Sequence, residues 1–357
     1  MSHFSVLVIG PDIENQLAPY HEFECTGIED QYVRDVDKTA QYREEFAKAT
    51  TTRLRTPDGA LLDFFDAKGN WLTEFSQADP DFKPMFKGDL CRRTYLVPDG
   101  HEKVKVHSSE VMTFAEWIER DHGQKIVPLG RLPDLSGEHK YGYTIVDAEG
   151  EVVRAIDRTN PDKKWDWYSV GGRWMGFLKL KDGAAGPLGE PGVFGNESEH
   201  KNGADITMTR DVDFDGMRDT AEATARGAWD RAQTIIAGRS FETWKEVISR
   251  FHDDHKAARE TYWEQPVCVD MRNAREFSWD GPDEFRCSLA DYVARARRKA
   301  VQTFAVVKDG VWYARGTMGW WGVVHDEENE DEWERRFADL IDSLEDDALL
   351  TVVDCHI

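Results

Sequence analysis

The chain has 357 residues, 40% of them hydrophobic and 11% aromatic, which is enough apolar material for a core and too much for a wholly disordered chain. Acidic residues number 68 against 45 basic ones, and the formal net charge of −23 opposes direct nucleic-acid binding while attracting basic partners. No run approaches the ~20 apolar residues of a membrane helix, and five scattered cysteines (25, 91, 268, 287, 355) without a CxxC pair give neither a zinc ribbon nor a disulfide framework.

The segment "HFSVLVIG" (3–10) reads as a buried strand closed by Gly10. The start "MSHFSVLVIG" lacks a basic n-region and a small-residue cleavage site, so the expected location is the cytoplasm. Asp12 as a cap and Pro19 as a stop predict a short helix, and "KTAQYREEFAKA" (38–49) predicts a second. The turns in "TTRLR-TPDG-ALLDF" and "RTYLV-PDG-HEKVKV" each sit between alternating segments and predict two hairpins. Thr113 and Glu116 have capping-box spacing for a helix ending near Gly123, and "YGYTIV-DAEG-EVVRAI" (141–156) reads as a further hairpin.

Residues 183–204 carry six glycines and two prolines, the composition of a long loop, with Leu188, Val193 and Phe194 as candidate anchors. From 213 the pattern is helical: one helix runs to Gly238, and a second starts at the cap Ser240 with a stripe of Phe241, Trp244, Val247, Ile248 and Phe251. A third opens with Ser288 and Asp291. Its basic run "ARARRKA" (294–300) reads as a solvated helix face rather than a nucleic-acid groove. Strands return in the hairpin "TFAVV-KDG-VWYARG" (303–316). The acidic segment 326–347 then places Trp333, Phe337, Leu340, Ile341 and Leu344 on one helical face, and "ALLTVVDCHI" closes as a buried strand. The expected fold is α+β, with a mixed, mainly antiparallel sheet in which the N- and C-terminal strands pair. Residues 1–182 and 303–357 would form the body, 183–204 a Gly/Pro-rich loop, and 205–302 a helical subdomain.

The densest chemistry lies in "KWDWYSVGGRWMGF" (164–177). Gly171 and Gly172 can adopt conformations closed to other residues and admit a ligand to the backbone, Arg173 offers a planar fork for phosphate or carboxylate, and Trp165, Trp167 and Trp174 offer rings for stacking. Neither a Walker loop nor a dinucleotide fingerprint is present. The alternative is a bulged, packed strand with an ion-paired arginine. A short echo at "WYARGTMGWWG" (312–322) adds Trp320 to the candidate binding residues. Antiparallel pairing of the terminal strands would set His3 beside His356, with Asp354 on the same face and Cys355 on the other, a set suited to acid–base work or, through His3 and His356, to a metal. His252 and His255 in "HDDH" read as a solvated helix face. Asp211, Asp213, Asp215, Gly216 and Glu222 imitate an acidic calcium loop that runs into a helix too early.

Taken together, "MSHFSVLVIG", "NPDKKWDWYSVGGRW", "TFAVVKDGVWYARGTMGWWG" and "LLTVVDCHI" resemble an uncharacterised family of bacteriophage and bacterial mobile-element proteins along nearly the whole chain. The resemblance carries no established reaction or cofactor. It implies a setting inside a bacterial host cell, outside core metabolism, with phage–host conflict as a context. Two functions are weighed. The preferred one is a pocket at the GGRW segment that binds, and could process, a small anionic ligand such as a nucleotide, with Arg173 and the 312–322 cluster converging in one concavity. The other is a non-catalytic acidic protein that blocks a basic host nucleic-acid-binding or defence protein, with Arg173 buried in an ion pair.

Overall fold

The first apolar run forms the strand His3–Ile9, and its neighbours explain why both of its faces are apolar. It pairs antiparallel with the C-terminal strand Leu349–His356 over its full length and parallel with Ala305–Lys308 on the other side. Leu7 and Ile9 pack with Val306, Leu350, Val352, Trp333 and Phe337. Phe4, Val6 and Val8 pack on the opposite face with Trp165, Val307, Val353 and Cys355. Burying one such Val or Leu is worth about 1.5–3 kcal/mol, so a strand covered on both sides is the centre of the core.

This computed structural model describes residues 2–22, 31–63, 76–78, 93–95, 97, 99–192, 202–251, 254–274, 281–319, 322–327 and 329–357. Contacts divide the chain into two compact units, one made of Met1–His21 with Asp162–Ile357 and the other of Glu22–Pro161. The helical segment belongs to the first unit, a division that the composition did not announce.

In the first unit the sheet order is 190–191, Trp167–Gly172, Leu349–His356, His3–Ile9, Ala305–Lys308, Val311–Ala314, and Ile206–Met208 also pairs with the C-terminal strand. The fold is α+β and its sheet mainly antiparallel, with the two buried terminal strands paired as expected. The KDG hairpin forms on Asp309 and Gly310, both at positive φ (54° and 72°), the backbone that a two-residue turn needs to match strand twist. The acidic helix spans Glu330–Asp342, begins at Asn329, whose side chain accepts from Asp331 and Glu332 N–H, and buries Trp333, Phe337 and Ile341 against the sheet. Its three first-turn carboxylates suit the positive end of the helix.

The helices of 205–302 depart from expectation in detail. The first is Phe214–Ile236. The second starts at Trp244, not after Ser240, because Thr243 and Glu246 form the capping pair: Glu246 N–H donates to Thr243 Oγ1 at 3.2 Å and Thr243 N–H to Glu246 Oε2 at 2.6 Å. Phe241 instead packs with Ala232, Val267 and Phe285. Two shorter helices follow, His255–Glu264 and Pro266–Asn273, the break falling where Pro266 cannot donate to the preceding turn. Leu289–Lys299 opens with Ser288 as expected. In the loop, Glu190 and Pro191 add a short parallel strand beside Gly171 and Gly172, and Leu188 is half-buried; Val193 and Phe194 lie outside the described residues.

The second unit holds a sheet ordered Arg34–Asp37, Val152–Thr159, Gly142–Val146, Lys125–Pro128. Helices Thr39–Phe46 and Phe114–His122 bury Tyr42, Trp117 and Ile118 on it, and the predicted Thr113–Glu116 box caps the latter. The first PDG turn makes its hairpin, Leu54 opposite Leu62. The second does not: Arg93–Tyr95 pairs with Ser76–Ala78, while Glu102–His107 pairs along its whole length with the six-residue strand Thr50–Arg55. No helix among the described residues is long and apolar enough to cross a membrane.

Candidate functional site

Three neighbouring strands bring one row of side chains together: Trp167, His356 and His3 are directly opposite one another in register. The next row on the same face is Ser169, Asp354 and Ser5. Within this cluster His3 Nδ1 lies 2.8 Å from Asp354 Oδ1, and His356 Nδ1 lies 2.8 Å from Asp166 Oδ1. A carboxylate accepts and does not donate, so in each neutral ring Nδ1 carries the hydrogen and Nε2 the lone pair. Neither Nε2 has a hydrogen-bond partner among the described residues. The two imidazoles stand edge to face with centroids 4.9 Å apart. Trp167 stacks on His356 at 5.0 Å and meets His3 edge-on at 5.4 Å, with 46% of its own surface exposed.

Asp354 is the hinge of the arrangement. Its side chain is 3% exposed, and a carboxylate so buried must be satisfied. Oδ1 takes His3, and Oδ2 accepts the backbone N–H of Arg173 at 2.9 Å. Gly172 makes the approach feasible, because a Cβ there would lie 2.4 Å from Asp354 Cβ, at a φ of +54°. Gly171 does the same for Asp205: a Cβ would sit 2.4 Å from Oδ2. Asp205 in turn accepts from Gly176 N–H at 2.6 Å and Gly189 N–H at 2.8 Å, tying the loop to the sheet. The room beside both glycines is therefore occupied by the protein's own carboxylates, and not, as the sequence suggests, left for a ligand.

The three tryptophans of the segment separate. Trp165 is core, its Nε1 donating to Leu17 O and its ring stacked on His21 at 4.3 Å. Trp174 packs against the core beside Leu178, and Trp167 faces solvent. Arg173 is exposed and forms no ion pair among the described residues, so the buried pair expected of a purely packed strand is not what the fold makes. With Trp174, Phe177, Lys179 and Met217 it lines a cavity of about 770 Å³, within the size range of small-molecule sites. None of the described residues of 312–322 lines that cavity. Trp312 packs on Phe4 and Tyr20 at the other face of the sheet, its N–H donating to Tyr20 Oη, and Trp320 lies outside the described residues. Gly316 of the echo abuts Val324, His325 O and Glu327 Cα, unlike Gly171 and Gly172, which abut carboxylates.

The remaining candidates resolve into architecture. Asp213 caps the helix at Phe214 by accepting Gly216 N–H, and Glu222 bonds Arg226 and Arg297, so the acidic calcium pattern is a helix start. His252 lies outside the described residues; His255 is exposed on the first turn of its helix. No group of three or more His, Cys, Asp and Glu stands in metal-binding array among the described residues, and His3 and His356 each spend one nitrogen on a carboxylate. Cys355 points to the opposite face, where burial pushes its thiol well up. The basic run is a seam: Arg295 meets Glu284, Arg297 meets Asp219 and Glu222, and Arg298 and Lys299 meet the fully buried Glu334.

Asp166 is the member of this cluster that sequence reasoning does not single out. Its N–H donates to His356 O and its carboxylate to none; it accepts from His356 and from Trp167 N–H. The signal, an acid one residue before a strand that begins beside the last histidine, becomes visible only once that strand is known to be the neighbour. Comparison of the chain with protein-family models, curated proteins and solved structures returns no match, so its function is argued from its own chemistry.

Proposed function

We propose that the polar end of the main sheet is an acid–base site for a small anionic ligand carrying a flat ring, with a nucleotide the class that offers both. The observation that carries this reading is the pair of Asp–His dyads, each with Nε2 free, beside an exposed indole. An imidazole held through Nδ1 by a carboxylate presents Nε2 in fixed orientation to accept or give a proton. Trp167 supplies a stacking face, and Arg173, whose backbone is fastened to the same carboxylate as His3, supplies an exposed cation.

Isothermal titration with adenosine monophosphate, alongside urea unfolding, tests the reading. Wild type is expected to bind. Arg173→Ala and Trp167→Ala are expected to keep the unfolding midpoint within the ~0.5 kcal/mol typical of surface changes while losing affinity. An Arg173→Ala variant that unfolds, or one that binds as wild type does, removes the arginine from the site; binding that ignores both substitutions overturns the reading.

A further inference from the structure

We infer that the bond worked on at this site is a phosphodiester next to a free hydroxyl, as in a short ribonucleotide. The inference rests on the acid–base reading above and names its substrate. Two imidazoles at a centroid distance of 4.9 Å, each with one open nitrogen, suit a displacement in which one oxygen loses a proton while another gains one. The nucleophile has to come from the ligand, because the hydroxyls and thiols around the dyads are otherwise placed: Ser5 Oγ accepts Phe304 N–H at 3.2 Å, and Cys355 is buried on the opposite face. Ser169, opposite Asp354 on the same face, is the control. The ring of Trp167 fits a base, and Arg173 fits the phosphate. A net charge of −23 repels a long polyanion, which favours a short substrate.

In the step, the ligand hydroxyl oxygen attacks phosphorus and its proton passes to Nε2 of the neutral imidazole. The new O–P bond forms as the P–O bond to the leaving nucleoside breaks, and the other imidazole, protonated, gives its Nε2 hydrogen to the departing oxygen. The products are a cyclic phosphate and a free hydroxyl, with one proton taken and one given. No oxidant and no outside nucleophile enters.

The experiment uses the full chain with a diribonucleoside monophosphate and its 2′-deoxy analogue, product formation being followed by phosphorus NMR and binding of the analogue by calorimetry. The ribonucleotide is expected to yield the cyclic phosphate, and the analogue to bind and persist. His3→Asn and His356→Asn keep a donor for each carboxylate and delete Nε2; each is expected to lower the rate by at least ~10²-fold with binding of the analogue retained. Cleavage of the analogue at a similar rate, loss of cleavage in Ser169→Ala, or binding without cleavage overturns the assigned bond and leaves the acid–base site standing. Failure of both compounds to bind removes the site itself. Cleavage undiminished in both histidine variants marks a contaminating nuclease and overturns the inference.

Discussion

Two places in the first unit gather charged and titratable side chains, and they are built in opposite ways. Along Leu289–Lys299 each of Arg295, Arg297, Arg298 and Lys299 meets a carboxylate of a neighbouring element, and Glu334 lies fully buried between two of them. At the sheet end the groups are half used: one nitrogen of His3 and one of His356 is bound, and the other is open beside an exposed ring. A closed network holds helices together and is indifferent to ligands. A network with directed, unspent acceptors is what the proposed ligand site requires. The net charge and the basic run draw the eye to the first place, and the geometry directs it to the second.

The sharpest way to break this contrast is at the glycine that lets Asp354 into the open end. Gly172→Ala would set a Cβ 2.4 Å from Asp354 Cβ at a φ of +54°. The expected cost is about 3 kcal/mol from backbone strain and overpacking, read as a drop in the urea midpoint. Glu334→Ala tests the closed seam. Arg298 and Lys299 are 31% and 41% exposed and can rehydrate, so the expected loss is about 2 kcal/mol, below that for a fully buried pair. Glu334→Met should return stability to within ~1 kcal/mol of wild type, and nucleotide binding should be the same in both variants. Trp167→Ala tests the open end: folding should change little, while affinity for the nucleotide should fall by ~1–3 kcal/mol, the usual worth of one stacked base.

Much of this was legible in the chain, and the exceptions have physical reasons. The pairing of the terminal strands follows from their both being buried-type apolar runs, and antiparallel pairing alone sets His3 opposite His356. The caps at Thr113 and Ser288 are local and were read correctly. Asp166 was missed because its role depends on which strand takes the third place in the sheet, a choice made by long-range packing. The glycines were read as room for a ligand because nothing in the segment shows that Asp205 and Asp354 arrive from elsewhere to fill it. The second PDG turn failed as a hairpin for the same reason, since a better-matched partner lay fifty residues away in sequence, at Thr50–Arg55.

A further expected effect concerns a group outside both networks. Burial, with Asp283 nearby, pushes the Cys268 thiol from 9.0 up to about 11. The unfolded chain ionises this thiol at lower pH than the folded protein does, so its contribution to stability is complete below about 9 and is lost progressively between about 9 and about 11. Urea midpoints across that window should fall as pH rises, and a Cys268→Ala variant should show a shallower decline. The half-buried Cys287 should be alkylated before the buried Cys268 and Cys355.

His3 and Asp354, which touch at 2.8 Å, are 351 positions apart along the chain. Closing so long a loop adds little to the thermodynamic cost, which grows only logarithmically with length, but pairing such distant strands is slow. The first strand must find a partner that lies behind an entire second unit and a block of helices. The helices can form early from contacts close in sequence, whereas the dyads exist only after that last search has ended. The dyads therefore serve as a clock for the late stage of assembly: in a refolding experiment the nucleotide binding proposed for them should return after helical structure, in step with completion of the central strand pair.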